Sequence, residues 1–285
     1  MRQRRYRLTG LATVLTVALG LLTPTAANMV GAQAGASEPR SAVSLVSRMT
    51  VPRPRSFFPA ASGGRAGPAR IAQRIAQKAE RIARWTNLLV HVPRTLPAYA
   101  RPRAGAARVG VVPGGSKYYG ITIVAWVEAV SDDGRWGRVE LPYTWPRREG
   151  WIELGGLQRD TTRVRVEVDL SEHTVTVRRV GKVLFRAPGA IGAPSSPTPT
   201  GEYFVTDRVP FSAGSYLGSF AFGISGIQPR LPAGWSGGNQ LAIHGTNNPS
   251  SIGRSVSAGC VRVSEATLDR LKPLLGYGTP VIVRA

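Results

Sequence analysis

Polar and apolar residues alternate through 162–168 and again through 173–180, with Asp169 to Glu172 between them. That is the period of two half-buried strands joined by a tight turn. Gly181-Lys182 then turns the chain into a third strand at 183–187, and further strands are predicted at 202–206 and 279–283, the last running into the core sheet. A helix is predicted over 264–275: Ser264 caps it, Glu265 suits its first turn, Leu268, Leu271 and Leu275 share one face, and Gly276 ends it. Upstream, short strands are expected at 108–112, 121–130, 137–141 and 150–154, with Asp132-Asp133-Gly134 as a hairpin turn. The segment 207–240 is rich in glycine and carries Phe211, Tyr216, Phe220, Phe222 and Trp235 without a clear period. It is expected to be a long functional loop.

The first ninety residues have a different pattern. An apolar, uncharged stretch over 8–22 follows Arg2, Arg4, Arg5 and Arg7 and precedes small residues around Ala26-Ala27 and Ala32-Gln33-Ala34. This is the layout of a secretory signal over 1–34. At about fifteen residues it falls short of the roughly twenty that span a bilayer. Residues 35–68 read as a basic linker. At 69–90, Ile71, Ile75, Ile82 and Trp85 recur at helical spacing among Arg74, Lys78, Arg81 and Arg84. This amphipathic basic helix either rests its apolar stripe on the next domain or attaches to an anionic membrane or wall polymer. The expected organisation is therefore a signal (1–34), a linker and helix (35–90), a small all-β module (91–158) and a second all-β domain (161–285).

Charge adds a partner class. The net charge is +21, and residues 1–90 hold fourteen Lys/Arg against two Asp/Glu, a net +12. Such a surface attracts polyanions. Nucleic acid is not expected, because no recognised motif interleaves aromatics with the basic residues. The histidines are dispersed, with no ligand-spaced His/Glu motif, and no glycine-rich phosphate loop occurs, so neither metal nor cofactor is expected.

The candidate chemistry centres on Cys260, the sole cysteine of an exported chain, which is an incidental buried hydrophobe, an intermolecular bridge or a reactive thiol. A thiol acts as a nucleophile through its thiolate and needs a base or positive charge nearby. Of the three histidines, His91 and His173 lie in strand-like or linking segments. His244 instead ends an apolar strand in the small-residue frame Ala242-Ile243-His244-Gly245-Thr246, sixteen positions before Cys260. Gly259 allows close backbone approach to a substrate, so that amides around 258–260 can face an oxyanion, while Arg262 adds positive charge or binds a carboxylate.

His244-Gly245-Thr246 and Ser257-Ala258-Gly259-Cys260-Val261-Arg262 resemble the signature of YkuD-type L,D-transpeptidases. The resemblance covers about 161–285 and extends to Asp169-Leu170-Ser171, Thr174-Val175-Thr176-Val177 and Pro197-Thr198-Pro199-Thr200-Gly201-Glu202-Tyr203. It implies Cys260 as nucleophile, His244 as its base, the Gly245 carbonyl orienting the ring, and Ser257, Gly259 and Arg262 around the substrate. Tyr216 and Trp235, in the candidate lid, are added as substrate-binding residues. Trp136-Gly137-Arg138-Val139 and Gly150-Trp151-Ile152 are similar to strand ends of bacterial SH3-like modules. The fold expected is thus mainly β: a small SH3-like β-barrel, then a β-sandwich-like L,D-transpeptidase domain with one or two short helices. The implied activity is crosslinking of peptidoglycan stem peptides in the cell envelope by a monomer. An L,D-carboxypeptidase and a non-catalytic wall-binding protein are the alternatives. One departure stands out: the family usually has histidine where this chain has Ala258.

Overall fold

The computed structural model describes residues 68–212 and 214–285. The signal expected over 1–34 and the linker up to residue 67 lie outside the described residues. The chain enters through helix α1 (Pro68–Arg84) and builds seven short strands: β1 (Asn87–Val92), β2 (Leu96–Tyr99), β3 (Arg108–Val112), β4 (Ile123–Val130), β5 (Trp136–Glu140), β6 (Glu149–Glu153) and β7 (Arg159–Thr162). These form one sheet in the order β3-β2-β6-β5-β4-β1-β7, antiparallel throughout.

The helix stops earlier than its periodicity predicts. Thr86 donates its hydroxyl to the Ile82 carbonyl (2.7 Å), and the Leu88-Leu89-Val90 run becomes part of β1, paired on both sides by β4 and β7. Sheet pairing satisfies the backbone of 87–90 and buries Leu89 and Val90, which outweighs helical spacing. Ile71 and Ile75 remain 51% and 63% exposed, so the first half of the apolar stripe does not rest on the domain. Only the end of this segment does: Trp85 stacks under the Arg165 guanidinium, 5.0 Å from the ring centre.

The second sheet comprises β8 (Val164–Asp169), β9 (Thr174–Arg179), β10 (Lys182–Gly192), β11 (Gly201–Pro210), β12 (Phe220–Ile227), β13 (Gln240–His244), β14 (Ser255–Ser257), β15 (Val261–Val263) and β16 (Pro280–Arg284), with helix α2 (Glu265–Leu271) packed on it. Its order is β14-β10-β15-β13-β12-β11-β16-β8-β9, and β9 pairs back onto β10. The eleven-residue β10 closes the ring by pairing with β9 through residues 182–188 and with β15 through residues 189–190. The region 207–240 is not one long loop. Its first residues extend β11 to Pro210, and Phe220–Ile227 forms β12, leaving two loops at 211–219 and 228–239. β12 was hard to read because its FAFGISGI sequence is buried from Ala221 to Gly226, so no polar face marks its period.

Two cores lie back to back and share strands β11 and β16. Tyr203, Val205, Val281 and Val283 point into the core of the second sheet, under Leu268, Leu271 and Leu275 of the α2 region. Their neighbours Phe204 and Ile282 point the other way, into the core of the first sheet with Ile123, Val139 and Ile152. Alternation along a strand thus fastens the two sheets together within the unit Gly63–Ala285. Each such side chain contributes roughly 1.5–3 kcal/mol on burial.

Candidate active site

Register across β11, β12, β13 and β15 assembles the site in two rows. Val209, Ala221, His244 and Arg262 are successive partners across the four strands. Asp207, Gly223 and Ala242 form the next row. Cys260, one residue before β15, continues that second row, and the Ala242 backbone hydrogen-bonds its thiol. Because alternate residues face one side of a sheet, Gln240, Ala242 and His244 share a face with Cys260 and Arg262. All five line one cavity of about 440 Å³. The small residues Ala221, Gly223 and Ala242 between the functional side chains are what leave the cavity open. His244 and Cys260 sit diagonally across adjacent rows and line the same cavity.

The electrostatics define the resting state. His244 is 3% exposed, and burial lowers its pKa to about 4, helped by the Arg262 charge and opposed by the carbonyls of Gly245 and Leu217. Its Nδ1 donates to the Gly245 carbonyl at 2.6 Å, so the neutral ring keeps Nε2 as its basic nitrogen. Burial likewise raises the pKa of Cys260, and the Ala242 backbone and Arg262 only partly offset it. The thiol makes a long contact to the Gln240 carbonyl (3.9 Å) rather than a hydrogen bond to His244. The pair therefore rests as neutral thiol and neutral imidazole.

The turn before the nucleophile is held from several sides. Ser257 Oγ donates to the Cys260 carbonyl (2.5 Å) and accepts from Gly259 N (3.1 Å). Its hydroxyl is engaged in shaping the turn, and the Gly259 amide is not free for an oxyanion. Ala258 and Cys260 supply the other amides of this turn. Gly259 has φ +118°, and a Cβ there would collide with Gln228 Nε2, so only glycine fits. Its carbonyl accepts from Thr198 Oγ1 at 2.8 Å, which ties the turn to the 197–200 segment. Ala258 lines the cavity, as do Tyr216 and Trp235, 61% and 41% exposed at its mouth. Arg262 lines it too, and its Nε is buried without a partner. His91 and His173 lie elsewhere, in β1 and beside Ser255 (2.8 Å to its hydroxyl).

Several lining residues escaped the sequence. Asp207 is 1% exposed. Its Oδ2 is held by Thr206 Oγ1 and Gln240 Nε2, both at 2.7 Å, and its Oδ1 is buried without a partner. Tyr118 and Tyr119, from the first sheet's module, also line the cavity. The phase of β11 relative to β13 would have found Asp207, but nothing in the sequence places the tyrosines here.

The closed β-sheet thus presents a lone cysteine, a buried histidine and an arginine in one cavity. The family model of the YkuD L,D-transpeptidase catalytic domain matches residues 163–283. The YkuD protein of Bacillus licheniformis is 31% identical over 124 residues, 44% of this chain and 67% of that protein. The YkuD protein of Bacillus subtilis is 29% identical over 123 residues, 43% of this chain and 67% of that protein. The chain belongs to the L,D-transpeptidase family of YkuD type. An L,D-transpeptidase from Mycobacterium smegmatis aligns at 20% identity over 57% of this chain and 89% of that chain, with a TM-score of 0.36. That likeness carries no argument beyond the sequence match.

Proposed function

We propose that this protein is an exported cell-wall enzyme that joins peptidoglycan stem peptides through a thioester on Cys260. The observation that carries the reading is the pairing of Cys260 with His244 across one cavity, the imidazole held by Gly245 in the tautomer that leaves Nε2 basic. His244 Nε2 takes the thiol proton as Sγ bonds to the carbonyl carbon of the stem's third residue. The C–N bond to the terminal D-Ala breaks, and His244 returns the proton to that leaving amine. An amine on the third residue of a neighbouring stem then attacks the thioester and gives its proton to His244. The C–S bond breaks, the sulfur regains a proton, and a 3→3 crosslink results. Arg262 stabilises the forming thiolate, and the Ala258 and Cys260 amides serve the oxyanion, the Gly259 amide being held by Ser257 Oγ.

Mass spectrometry of purified protein with disaccharide-tetrapeptide stems, wild type beside Cys260→Ala, tests the reading. Crosslinked dimers that vanish in the variant support it. Tripeptide without dimers assigns the thioester to water and makes the protein an L,D-carboxypeptidase. Neither product nor a covalent adduct on Cys260 leaves a wall-binding protein without catalysis.

A further inference from the structure

The cavity around Cys260 is not built by the YkuD-type domain alone. The Ser116–Gly120 turn of the first module forms one wall of it. This turn is closed on itself: Ser116 N donates to the Ile121 carbonyl (2.7 Å), Gly120 N to the Ser116 carbonyl (3.1 Å) and Ile121 N to Ser116 Oγ (3.2 Å). From it Tyr118 reaches the loop before β13. Its Oη accepts from Asn239 N (3.2 Å) and donates to Asn239 Oδ1 (3.4 Å), and Lys117 Nζ donates to the same Oδ1 at 2.7 Å. The fit requires Gly238, where a Cβ would stand 2.5 Å from Tyr118 Oη. The next residue after Asn239 is Gln240, whose carbonyl contacts the nucleophile. Tyr118, although anchored, is 48% exposed and Tyr119 51% exposed, and both line the cavity.

We infer that Tyr118 and Tyr119 form, with Trp235 of the adjoining 228–239 loop, a saccharide subsite that binds the sugar end of the stem substrate. This rests on the stem-peptide reading above. The charged groups lining the cavity, Asp207 and Arg262, both stand on the strand floor beside the nucleophile. The rim's lining residues are aromatic and uncharged, with Lys117 Nζ 5.4 Å from the Tyr118 ring centre. Trp235 Nε1 donates to the Gly238 carbonyl (3.1 Å) and the Tyr118 hydroxyl is held by Asn239, so the rim offers its ring faces and the Tyr119 hydroxyl. Rings with polar tips stack against the C–H faces of a pyranose and bond its hydroxyls, whereas a charged ligand end finds its complement only on the floor. A stem substrate has this polarity, an amide chain for the floor and an uncharged sugar at the other end. Tyr118 also acts as a positioning residue, because its phenol pins the loop that carries Trp235.

The test is calorimetric binding to the Cys260→Ala protein, which cannot turn over, of disaccharide-tetrapeptide and of the same tetrapeptide without sugar. The sugar-bearing ligand should bind about tenfold tighter. In Tyr119→Ala and Tyr118→Ala/Tyr119→Ala backgrounds that preference should fall to about twofold or less, while affinity for the bare tetrapeptide in Tyr119→Ala holds. Equal affinities at the start, no binding of either ligand, or a preference that survives both variants overturns the subsite. Rim-dependent sugar binding by a protein that forms no product sinks the enzymatic reading and keeps the subsite. Crosslinking with no rim-dependent preference does the reverse.

Discussion

Among the described residues, buried ionisable side chains gather around His244 and around Glu140, and both groups are shifted by the same cause. In the cavity, burial drives His244 down to about 4 and pushes Cys260 up. Between the sheets, burial drives Glu140 up to about 8 and Glu128 to about 7. The difference lies in what surrounds them. Glu140 is sealed: Ser225 of β12 donates to it, and Arg147 bridges Glu128 and Glu149 while its Nε donates to the Glu202 carbonyl at 2.8 Å. The cavity group is open: His244, Cys260 and Arg262 all line the cavity, the thiol has only a long 3.9 Å contact to the Gln240 carbonyl, and the Arg262 Nε has no partner. A perturbed pKa marks burial in both places. A functional site is marked by perturbed groups that stay unsatisfied and face a cavity.

The largest effects should come from the open group. Cys260→Ala should abolish both the covalent adduct and the product, read by mass spectrometry, while the thermal midpoint stays close to wild type. His244→Ala should lower the rate by about 10²–10⁴-fold. Part of that loss should return at alkaline pH, where the thiol ionises without a base. Recovery absent at high pH would mean that His244 does more than accept the proton. Wild-type kcat/KM should be level from pH 5 to 7 and fall below about 4, because His244 must be neutral to act. An acid limb near the ordinary histidine value would show that the ring is solvated in the working enzyme.

The sealed group should respond in the opposite way. Glu140→Ala strands the Ser225 hydroxyl and should destabilise the fold by about 1–3 kcal/mol in chemical denaturation. Turnover per folded molecule should not change. A Glu140 variant that folds normally but loses turnover would break the distinction between the two groups.

Much of the second sheet was legible because its strands keep one polar face. The alternation at Thr174–Arg179 is a case in point; the helix expected over 264–275 starts at its Ser264 cap but ends at Leu271, with Lys272 as its C-cap. β12 was not, being buried on both faces, and β1 was masked by helical spacing in the segment before it. Of the site, Cys260, His244 and Arg262 were readable from local sequence, since each is two residues from a partner on the same strand face or carries the family signature. Asp207 and Tyr118 were not, because their place depends on strand register and on a contact more than a hundred residues long. Ser257 looked like a substrate residue by position, but its hydroxyl is occupied inside the turn.

The smallest expected effect is also the most discriminating, the slope of stability with pH. The Glu140 carboxyl ionises near 8 in the fold against 4.5 when unfolded, and Glu128 near 7 against 4.5. A raised carboxyl pKa means the folded state holds its proton more tightly. The stabilisation is complete below about 4.5 and is lost as pH rises through 7 and 8. The thermal midpoint should therefore decline between pH 5 and 8 and level off above, by about 2–4 °C for each kcal/mol lost. Glu140→Gln keeps a partner for Ser225 and cannot ionise, so it should remove the decline between pH 7 and 8, where Glu140 alone contributes, and roughly halve the slope between about 5 and 7, where Glu128 contributes as well. The His244 shift has its own sign: a depressed histidine disfavours the fold only as pH drops below the unfolded value of 6.5, reaching its full effect under about 4. His244→Gln should thus alter the curve only below about 6.5, whereas between pH 7 and 8 only Glu140→Gln should change it. A His244→Gln protein with a changed slope between pH 7 and 8 would mean the two groups are coupled through β11 and β12 rather than independent.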